Sequence, residues 1–300
     1  MKELSLVELI KDFADESKCR AYLERLRWPH GIQCLECGSD KVYRILKRNQ
    51  FVCDACSHQF SVTAKTIFHD THLLLWKWFI ATYLLCESRK GMSANQMKRQ
   101  LDVSYKTAWY LCHRIRAAML EVAPEKLGGT VEIDETYIAG KKRRWRPKND
   151  EQVVMGIRQR NGDLRMIHAR DAKSATVREI INANVGSHVE VIITDEAAIY
   201  PYALDKMQKN LHRTINHTKH YAHGDVHTNT VESAFSLLKR GIVGTWHKVS
   251  AKHLPAYLDE MCFRFNNRKN PFLFRDTMLK LIDSPNLEYK RLTAKVSEAA

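Results

Sequence analysis

Hydrophobic residues in the first part of the chain recur mainly at helical spacing. Apolar positions at intervals of three and four predict helices within 1–28 and across 66–121. Ser5 and Glu8 stand in the arrangement of a capping box, which predicts the start of the first helix. The run 73–86 is almost wholly apolar and predicts a buried helix that is too short to span a bilayer.

Two of these helical patterns, within residues 93–119, are separated by a short turn. A serine precedes each pattern and can cap the helix that follows. Two helices joined by a turn of three or four residues are the pattern of a helix-turn-helix, whose second helix enters the DNA major groove. Lys106, Arg114 and Arg116 on the second helix are therefore candidate DNA contacts. An ordinary pair of helices with a basic face is the alternative interpretation.

Further along the chain, the hydrophobic pattern changes to the alternation that is typical of strands. Residues 130–140, TVEIDETYIAG, predict one strand, and residues 189–195 predict another. Between them, Asn161-Gly162 predicts the turn of a hairpin. Antiparallel strands followed by a helix and a further strand are the order of a ribonuclease-H-like (RNase-H-like) fold.

Two CxxC pairs interrupt the helical patterns of the N-terminal part. Fifteen residues separate Cys34 and Cys37 from Cys53 and Cys56, a spacing within the range of four-thiolate zinc sites. We predict a zinc ribbon, in which each pair forms a turn that directs two sulfur atoms at one zinc ion. Four thiolates leave no coordination position for water, so this zinc is predicted to be structural. The basic hairpin between the pairs either contacts DNA or is simply solvated.

These patterns together predict a multidomain α+β protein. Its predicted parts are N-terminal helices (1–28), a zinc ribbon (29–64), a helical DNA-binding region with the helix-turn-helix (65–125), an RNase-H-like α/β catalytic domain with C-terminal helices (126–283) and a polar tail (284–300). We find no internal repeat and no phosphate-binding P-loop motif in any of these parts.

The composition is strongly basic, with 48 Lys and Arg against 34 Asp and Glu and a formal net charge of +14. This balance implies a polyanionic partner, and it favours nucleic acid over the rival, an anionic membrane surface. A predicted loop at 141–148 could contact phosphates. Its candidate DNA-contacting residues are Lys141, Lys142, Arg143, Arg144 and Arg146. The chain shows no secretion signal and no long apolar run, which predicts a cytoplasmic protein.

Three acidic residues occupy positions that suit catalysis. Asp134 and Asp195 lie on predicted strands, and Glu232 lies on a predicted helix. Carboxylate oxygens are the ligands that Mg²⁺ and Mn²⁺ prefer, and two such ions could hold and polarise a phosphodiester. Lys239 follows Glu232 by seven residues, so both point the same way on the helix and the ammonium suits a bound phosphate. Solvated or salt-bridged acids are the alternative interpretation.

Six segments carry a family resemblance, and it spans roughly residues 20–270. They are the CxxC pairs, GMSANQMKRQLDVSYKTAWYLCHRIR, VEIDETYIAG, TDEAAIY, HTNTVESAFSLLKRGIVGTWHKVSAKHL and FRFNNR. In this order they resemble the ISXO-type insertion-sequence transposases, which are DDE-class enzymes with an N-terminal zinc ribbon. The resemblance implies a DNA-binding front half, an RNase-H-like catalytic domain, and Mg²⁺-dependent cutting and joining of DNA.

The resemblance also assigns catalytic positions. Asp134 and Asp195 match the two aspartates of the family, and either Asn229 or Glu232 matches the third catalytic position. Thirty-six residues lie between Asp195 and Glu232, which is close to the family's usual interval. Glu232 also brings a negative charge that helps to neutralise two metal ions, so we favour it over Asn229.

The predicted function is that of a DNA transposase that binds the ends of its own element, cuts there and joins the ends to new DNA. At least a dimer is expected, because two ends must be held together. The alternatives are a non-catalytic DNA-binding regulator and an RNase-H-fold nuclease that only cleaves. A tyrosine recombinase using Tyr137 or Tyr200 is disfavoured, because the strand of Tyr137 already supplies Asp134.

Overall fold

The computed structural model describes residues 4–138, 151–215 and 225–294. The five basic residues predicted to contact DNA at 141–146 therefore lie outside the described residues. The chain divides into two compact units. The first unit comprises Met1–Ser88, Met92–Met119 and Asn270–Ala300, and the second unit comprises Arg89–Gly91 and Leu120–Lys269.

Helices and strands are both numerous in the described residues. The helices are α1 (Leu6–Phe13), α2 (Glu16–Arg27), α3 (Leu75–Glu87), α4 (Ala94–Leu101), α5 (Tyr105–Met119), α6 (Ser174–Asn184), α7 (Ile199–Ala203), α8 (Lys206–Asn210), α9 (Asn229–Gly241), α10 (Leu254–Asn266), α11 (Leu273–Asp283) and α12 (Tyr289–Thr293). The strands are β1 (Val42–Ile45), β2 (Gln50–Cys53), β3 (Gln59–Phe60), β4 (Leu127–Ile138), β5 (Gln152–Gln159), β6 (Leu164–Ala169), β7 (Val185–Asp195) and β8 (His212–Ile215). The predicted multidomain α+β class is confirmed. None of the described helices has the length and hydrophobicity that a membrane crossing requires.

Local hydrogen bonds begin several helices where the sequence predicts them. The capping box of α1 is confirmed, because Ser5 Oγ accepts from Glu8 N at 3.2 Å and Glu8 Oε2 accepts from Ser5 N at 2.9 Å. Ser93 Oγ caps α4 by accepting from Gln96 N at 3.1 Å. Asp102 then adopts a left-handed backbone conformation with φ of 47°, which ends α4 before α5 begins.

The first unit contains a small antiparallel sheet of β1, β2 and β3. Its apolar core is built around Phe51 and Phe60, with Trp28 packed edge-on at ring-centroid distances of 5.4 Å and 6.0 Å. Cys34 and Cys53 belong to the same buried cluster. A core of this size supplies little hydrophobic stabilisation, so the segment depends on its cysteine site for stability.

The C-terminal helices lie in the first unit. α11 packs against α2, α3 and α5, whereas the sequence analysis grouped residues up to 283 with the catalytic domain. The predicted polar tail contains α12, and the carbonyl oxygen of Leu287 accepts a hydrogen bond from Tyr110 Oη. These contacts join segments far apart in sequence, so the local hydrophobic pattern did not indicate them.

The second unit is built on a five-stranded mixed sheet with the strand order β6-β5-β4-β7-β8. β4, β5 and β6 are antiparallel, with the predicted hairpin turn between β5 and β6, and β7 and β8 run parallel to β4. β7 begins at Val185 rather than at 189, and the two short helices α7 and α8 lie between β7 and β8. The strand TVEIDETYI therefore lies at the centre of the sheet.

Helices cover both faces of this sheet. Val131 and Ile133 of β4 face a core that includes residues of α6 and α7. On the other face, Val154 of β5 packs with Val231 and Phe235 of α9 and with residues of α10. Because side chains alternate along a strand, Glu132 and Asp134 of β4 lie on the other face, toward α9.

Candidate active site

The four ribbon cysteines come together as predicted. Cys34 Sγ lies 3.6 Å from Cys56 Sγ, and Cys37 Sγ lies 3.6 Å from Cys53 Sγ. Thiolates bound tetrahedrally at 2.3 Å from zinc are about 3.8 Å apart, so this arrangement fits a zinc ion. Within the part of the chain that the structure describes, they form the one group of three or more His, Cys, Asp or Glu with ligand atoms all within 4.8 Å of one another.

The two cysteine turns have the same local geometry. Gly38 N donates to Cys34 O at 3.0 Å, and Ser57 N donates to Cys53 O at 2.9 Å. Gly38 and Ser57 have φ values of 74° and 60°, the left-handed conformation that closes each turn. Each turn thus presents its two sulfur atoms to the other pair, as a zinc ribbon requires.

Asp134 and Asp195 lie on neighbouring parallel strands. Glu132 of β4 is in register with Ile193 of β7, and each aspartate follows two residues later on its own strand. Residues two apart on a strand share a face, so both aspartates lie on the α9 side at the same end of the sheet. Asp195 is the last residue of β7, and its Oδ1 accepts from Ala197 N at 3.0 Å.

Asp134 is partly buried and lies close to other negatively charged side chains. Burial is the main cause that raises the pKa of Asp134, to about 7. The charges of Glu135, Asp195 and Glu232 raise it further. A carboxyl group of this kind takes up a proton or a cation near neutral pH, and its hard oxygens suit Mg²⁺ or Mn²⁺.

A cavity of about 290 Å³ opens between β4 and α9. Its lining residues are Asp134, Glu135, Thr136, Glu232, Phe235, Ser236 and Lys239. The structure thus brings together Asp134, Glu232 and Lys239, three of the predicted catalytic residues, around one space. Asp195 is not among the residues that line it, although its charge acts on Asp134.

The start of α9 presents both candidates for the third catalytic position. Glu232 Oε1 accepts from Thr228 Oγ1 at 2.9 Å. Asn229 Oδ1 is buried, and among the described residues it has no hydrogen-bond partner, so its lone pairs are available to a ligand. The oxygens of Asp134, Asp195 and Glu232 do not all come within 4.8 Å of one another, so one shared ion would require a side-chain rearrangement.

Two further acidic residues of β4, Glu132 and Glu135, have specific partners near the site. Glu132 is wholly buried beneath the start of α9, where Thr230 and Val231 donate to it. Glu135, on the opposite face of β4, accepts a hydrogen bond from Tyr200 Oη. The sequence held one indication of these partners, which is that acids alternate with apolar residues in a strand predicted to be buried. A buried acid needs a specific partner, so the pattern indicates that such partners exist.

The candidate DNA contacts on α5 differ in exposure. Lys106 is exposed, with Nζ 4.5 Å from the centre of the Tyr289 ring. Arg114 is buried and donates to the carbonyl oxygens of Ile67 and His69, and Arg116 is buried and donates to Met92 O at 3.4 Å. The two arginines thus depart from the expectation of a DNA-facing surface, because their guanidinium groups satisfy internal carbonyl groups instead.

We predict that Asp134→Asn stabilises the metal-free protein at pH 8. A raised carboxyl pKa means that folding favours the protonated acid, so the wild type loses stability as pH rises from about 4 to about 7. The amide of asparagine removes this cost. We expect the free energy of unfolding at pH 8 to rise by about 2 kcal/mol, a figure reduced to allow for the partial exposure of the side chain. The measurement is chemical denaturation of both proteins at pH 8 and pH 5 without Mg²⁺.

The difference should shrink at pH 5, because the wild-type acid is then mostly protonated. Added Mg²⁺ should stabilise the wild type and leave Asp134→Asn unchanged. A variant less stable than the wild type at pH 8 would show that Asp134 makes net favourable contacts as a carboxylate, contrary to this account.

Comparison with known proteins gives the same two-part organisation. Residues 14–59 match the transposase zinc-ribbon domain, and residues 126–266 match the ISXO2-like transposase domain. The chain is also 29% identical over 276 residues to an uncharacterized protein in transposable element ISH50 of Halobacterium salinarum. That alignment covers 83% of this chain and 90% of the relative.

A zinc ribbon followed by a mixed-sheet domain with central acids is consistent with a transposase of the DDE class. The two family matches together span more than half of the chain, which is therefore similar in both of these parts to the ISXO2-like insertion-sequence transposases. The predicted resemblance is therefore confirmed. The matches to transposase domains imply a DNA partner and indicate a nuclease or transferase, and the four close cysteines support a structural zinc ion.

Proposed function

We propose that this protein is a DNA transposase that binds the ends of its insertion sequence and catalyses Mg²⁺-dependent phosphodiester hydrolysis and strand transfer. The observation that carries the proposal is the cavity between β4 and α9, which Asp134, Glu232 and Lys239 line together and where the charge of Asp195 acts on Asp134. Negative charge that concentrates at one place and raises a carboxyl pKa suits a site for divalent cations.

In this proposal, Asp134 and Asp195 hold the metal, with Glu232 or Asn229 as the third ligand. Bound there, Mg²⁺ or Mn²⁺ would act as a Lewis acid toward the phosphodiester and the attacking hydroxyl group. Lys239 lines the same cavity with a positive charge and would hold a phosphate of the bound DNA. The pKa of Asp134, about 7, lets this carboxyl group exchange its proton for the cation near neutral pH.

The strand arrangement supports an RNase-H-like assignment for this domain. Three antiparallel strands are followed by two strands parallel to the first, in the order β6-β5-β4-β7-β8. The central strand and its parallel neighbour each carry one proposed catalytic aspartate at the same end of the sheet. Ligand sites commonly form at the carboxyl ends of parallel strands, where loops converge.

DNA binding in this proposal involves both the charge of the whole chain and particular residues. The net charge of +14 favours a polyanion, and exposed Lys106 at the start of α5 is available to a phosphate or a base. The five basic residues at 141–146 remain candidates for phosphate contact. We further propose a dimer or larger oligomer on DNA, because two element ends must be joined together, and action at the nucleoid of a prokaryotic cell.

The buried state of Tyr200 weighs against a tyrosine nucleophile. Tyr200 is fully buried, and its hydroxyl group donates to Glu135. Burial first, and then the Glu135 charge, raises the pKa of Tyr200 well above its ordinary value. A phenol that is so hard to deprotonate and so enclosed is a poor nucleophile toward DNA.

The experiment that tests the metal site is a crystal structure of the full chain grown with Mn²⁺, with anomalous data. We expect manganese between Asp134 and Asp195, with ligand oxygens about 2.1 Å away. The side chain that completes the coordination, Glu232 or Asn229, identifies the third catalytic residue. The matched control is Asp195→Asn, which should lose the ion.

An absence of manganese at saturating concentration, with the two aspartates too far apart to share an ion, would contradict the proposal. The non-catalytic DNA-binding regulator would then be the better account of the chain.

A further inference from the structure

Glu132 is the most deeply buried acid near the candidate active site. It lies in the middle of β4 and is 0% exposed. Glu132 Oε2 accepts from Thr230 N at 3.0 Å, from Thr230 Oγ1 at 2.7 Å and from Val231 N at 3.2 Å. Both donor residues belong to the first turn of α9. One carboxylate oxygen of the central strand is therefore bound to the start of this helix.

This contact replaces an ordinary helix cap. The first amide groups of a helix have no partner inside the helix, and Thr228, at the capping position of α9, makes no side-chain capping bond. A carboxylate from a strand 98 residues earlier accepts two of these amide protons instead. Its negative charge also suits the positive end of the helix dipole.

Arg160 balances the charge of Glu132. Arg160 Nε donates to Glu132 Oε1 at 2.8 Å, and Arg160 Nη2 donates to His227 O at 3.1 Å. His227 Nδ1 lies 3.3 Å from the same carboxylate oxygen. The buried acid is therefore paired on both oxygens, and the segment that leads into α9 is bound through Arg160 as well.

The position of Glu132 links it to the catalytic residues. Asp134 follows it by two residues on β4 and faces the same side, and Glu232 follows Val231 directly on α9. We propose that Glu132 is a positioning residue, which fixes the start of α9 against β4 and so sets where Glu232, Asn229 and Lys239 stand relative to Asp134. This inference rests on the proposed function of that cavity.

The test compares Glu132→Gln with wild type in the full chain by amide hydrogen exchange. Glutamine keeps the size of the side chain but has a single acceptor oxygen, so it cannot serve both α9 and Arg160. We expect the amide groups of Thr230 and Val231 to exchange at least about tenfold faster in the variant, because the first turn of α9 opens more often. This readout does not depend on catalytic activity.

The second readout is Mn²⁺-dependent cleavage of a DNA fragment that carries one end of the element. Misplaced ligands weaken metal binding, so the half-saturating Mn²⁺ concentration should rise about tenfold in Glu132→Gln. The matched control is Glu260→Gln, because Glu260 is also wholly buried and pairs with Arg264 at 3.2 Å on α10. The control should lose stability without altering α9 exchange or the Mn²⁺ requirement.

If Glu132→Gln does not fold, Thr230→Val removes one donor to the same carboxylate and should produce the same changes to a smaller degree. Unchanged exchange at the start of α9, or equal changes in the Glu260→Gln control, would overturn the positioning role. A wild type that neither binds Mn²⁺ nor cuts DNA would instead contradict the proposed function, and the exchange comparison would still decide whether Glu132 holds α9.

Discussion

Asp195→Asn is expected to reduce end cleavage and strand transfer by about a thousandfold or more. The change removes one of two carboxylates proposed to hold the catalytic metal, and the loss of such a charge acts directly on the transition state. The amide oxygen can still accept the hydrogen bond from Ala197 N, now 3.0 Å from Asp195 Oδ1, so the fold should persist. Binding of the element end should stay within a few-fold of wild type.

The measurement uses labelled end DNA and a target plasmid with Mg²⁺, analysed for nicked ends and for joined products. Asp205→Asn is the matched control, because Asp205 also caps a backbone amide in the second unit, that of Gln208 at 2.8 Å. The control should keep wild-type activity within about twofold, since asparagine also caps helices well. A parallel loss of end binding in Asp195→Asn would remove its catalytic assignment.

The wild-type products of this assay also separate two kinds of enzyme. Joined products are expected if the chain is a transposase, because the freed 3′-hydroxyl group attacks the target DNA. Nicked ends without joined products would favour a nuclease of the same fold that only cleaves.

Cys37→Ser is expected to abolish zinc binding and unfold the ribbon. The ribbon core is a small cluster around Phe51 and Phe60, and structural zinc sites supply roughly 10–16 kcal/mol of apparent binding free energy. Without the metal, this sheet has too little buried surface to remain folded. Zinc content should fall from one ion per chain to none, and proteases should cut within residues 29–64.

Cys112→Ala is the control for this experiment, because Cys112 is a buried cysteine on α5 outside the ribbon. It should keep its zinc and a protease-resistant ribbon. A Cys37→Ser protein that lacks zinc yet resists proteolysis in the ribbon would contradict the structural role of the metal. End-DNA binding measured on the same samples then shows whether the ribbon contributes to recognition.

Features set by short-range chemistry could be predicted from the sequence. The two CxxC turns bring their sulfur atoms together, and the predicted serine caps at Ser5 and Ser93 are present. Each serine cap and each single CxxC turn depends on hydrogen bonds or spacing within a few residues, which the local sequence specifies. The alternation in β4 likewise placed Glu132 and Asp134 on the face opposite to Val131 and Ile133 before any strand pairing was known.

Tertiary structure alone decided the features that depend on distant partners. In the sequence, Arg114 and Arg116 have the pattern of surface residues on a basic helix. In the structure both are buried, and their guanidinium groups donate to carbonyl oxygens of other segments. Glu132 accepts a hydrogen bond from the backbone of Thr230 in α9, which is 98 positions further along the chain. The zinc ligands, the main strands and the candidate acids could all be identified from the sequence, because short-range geometry encodes them. Only long-range packing decided which charged groups are buried and which helix lies against which acid. The reason is that a buried charge is tolerated only where the fold supplies its partner.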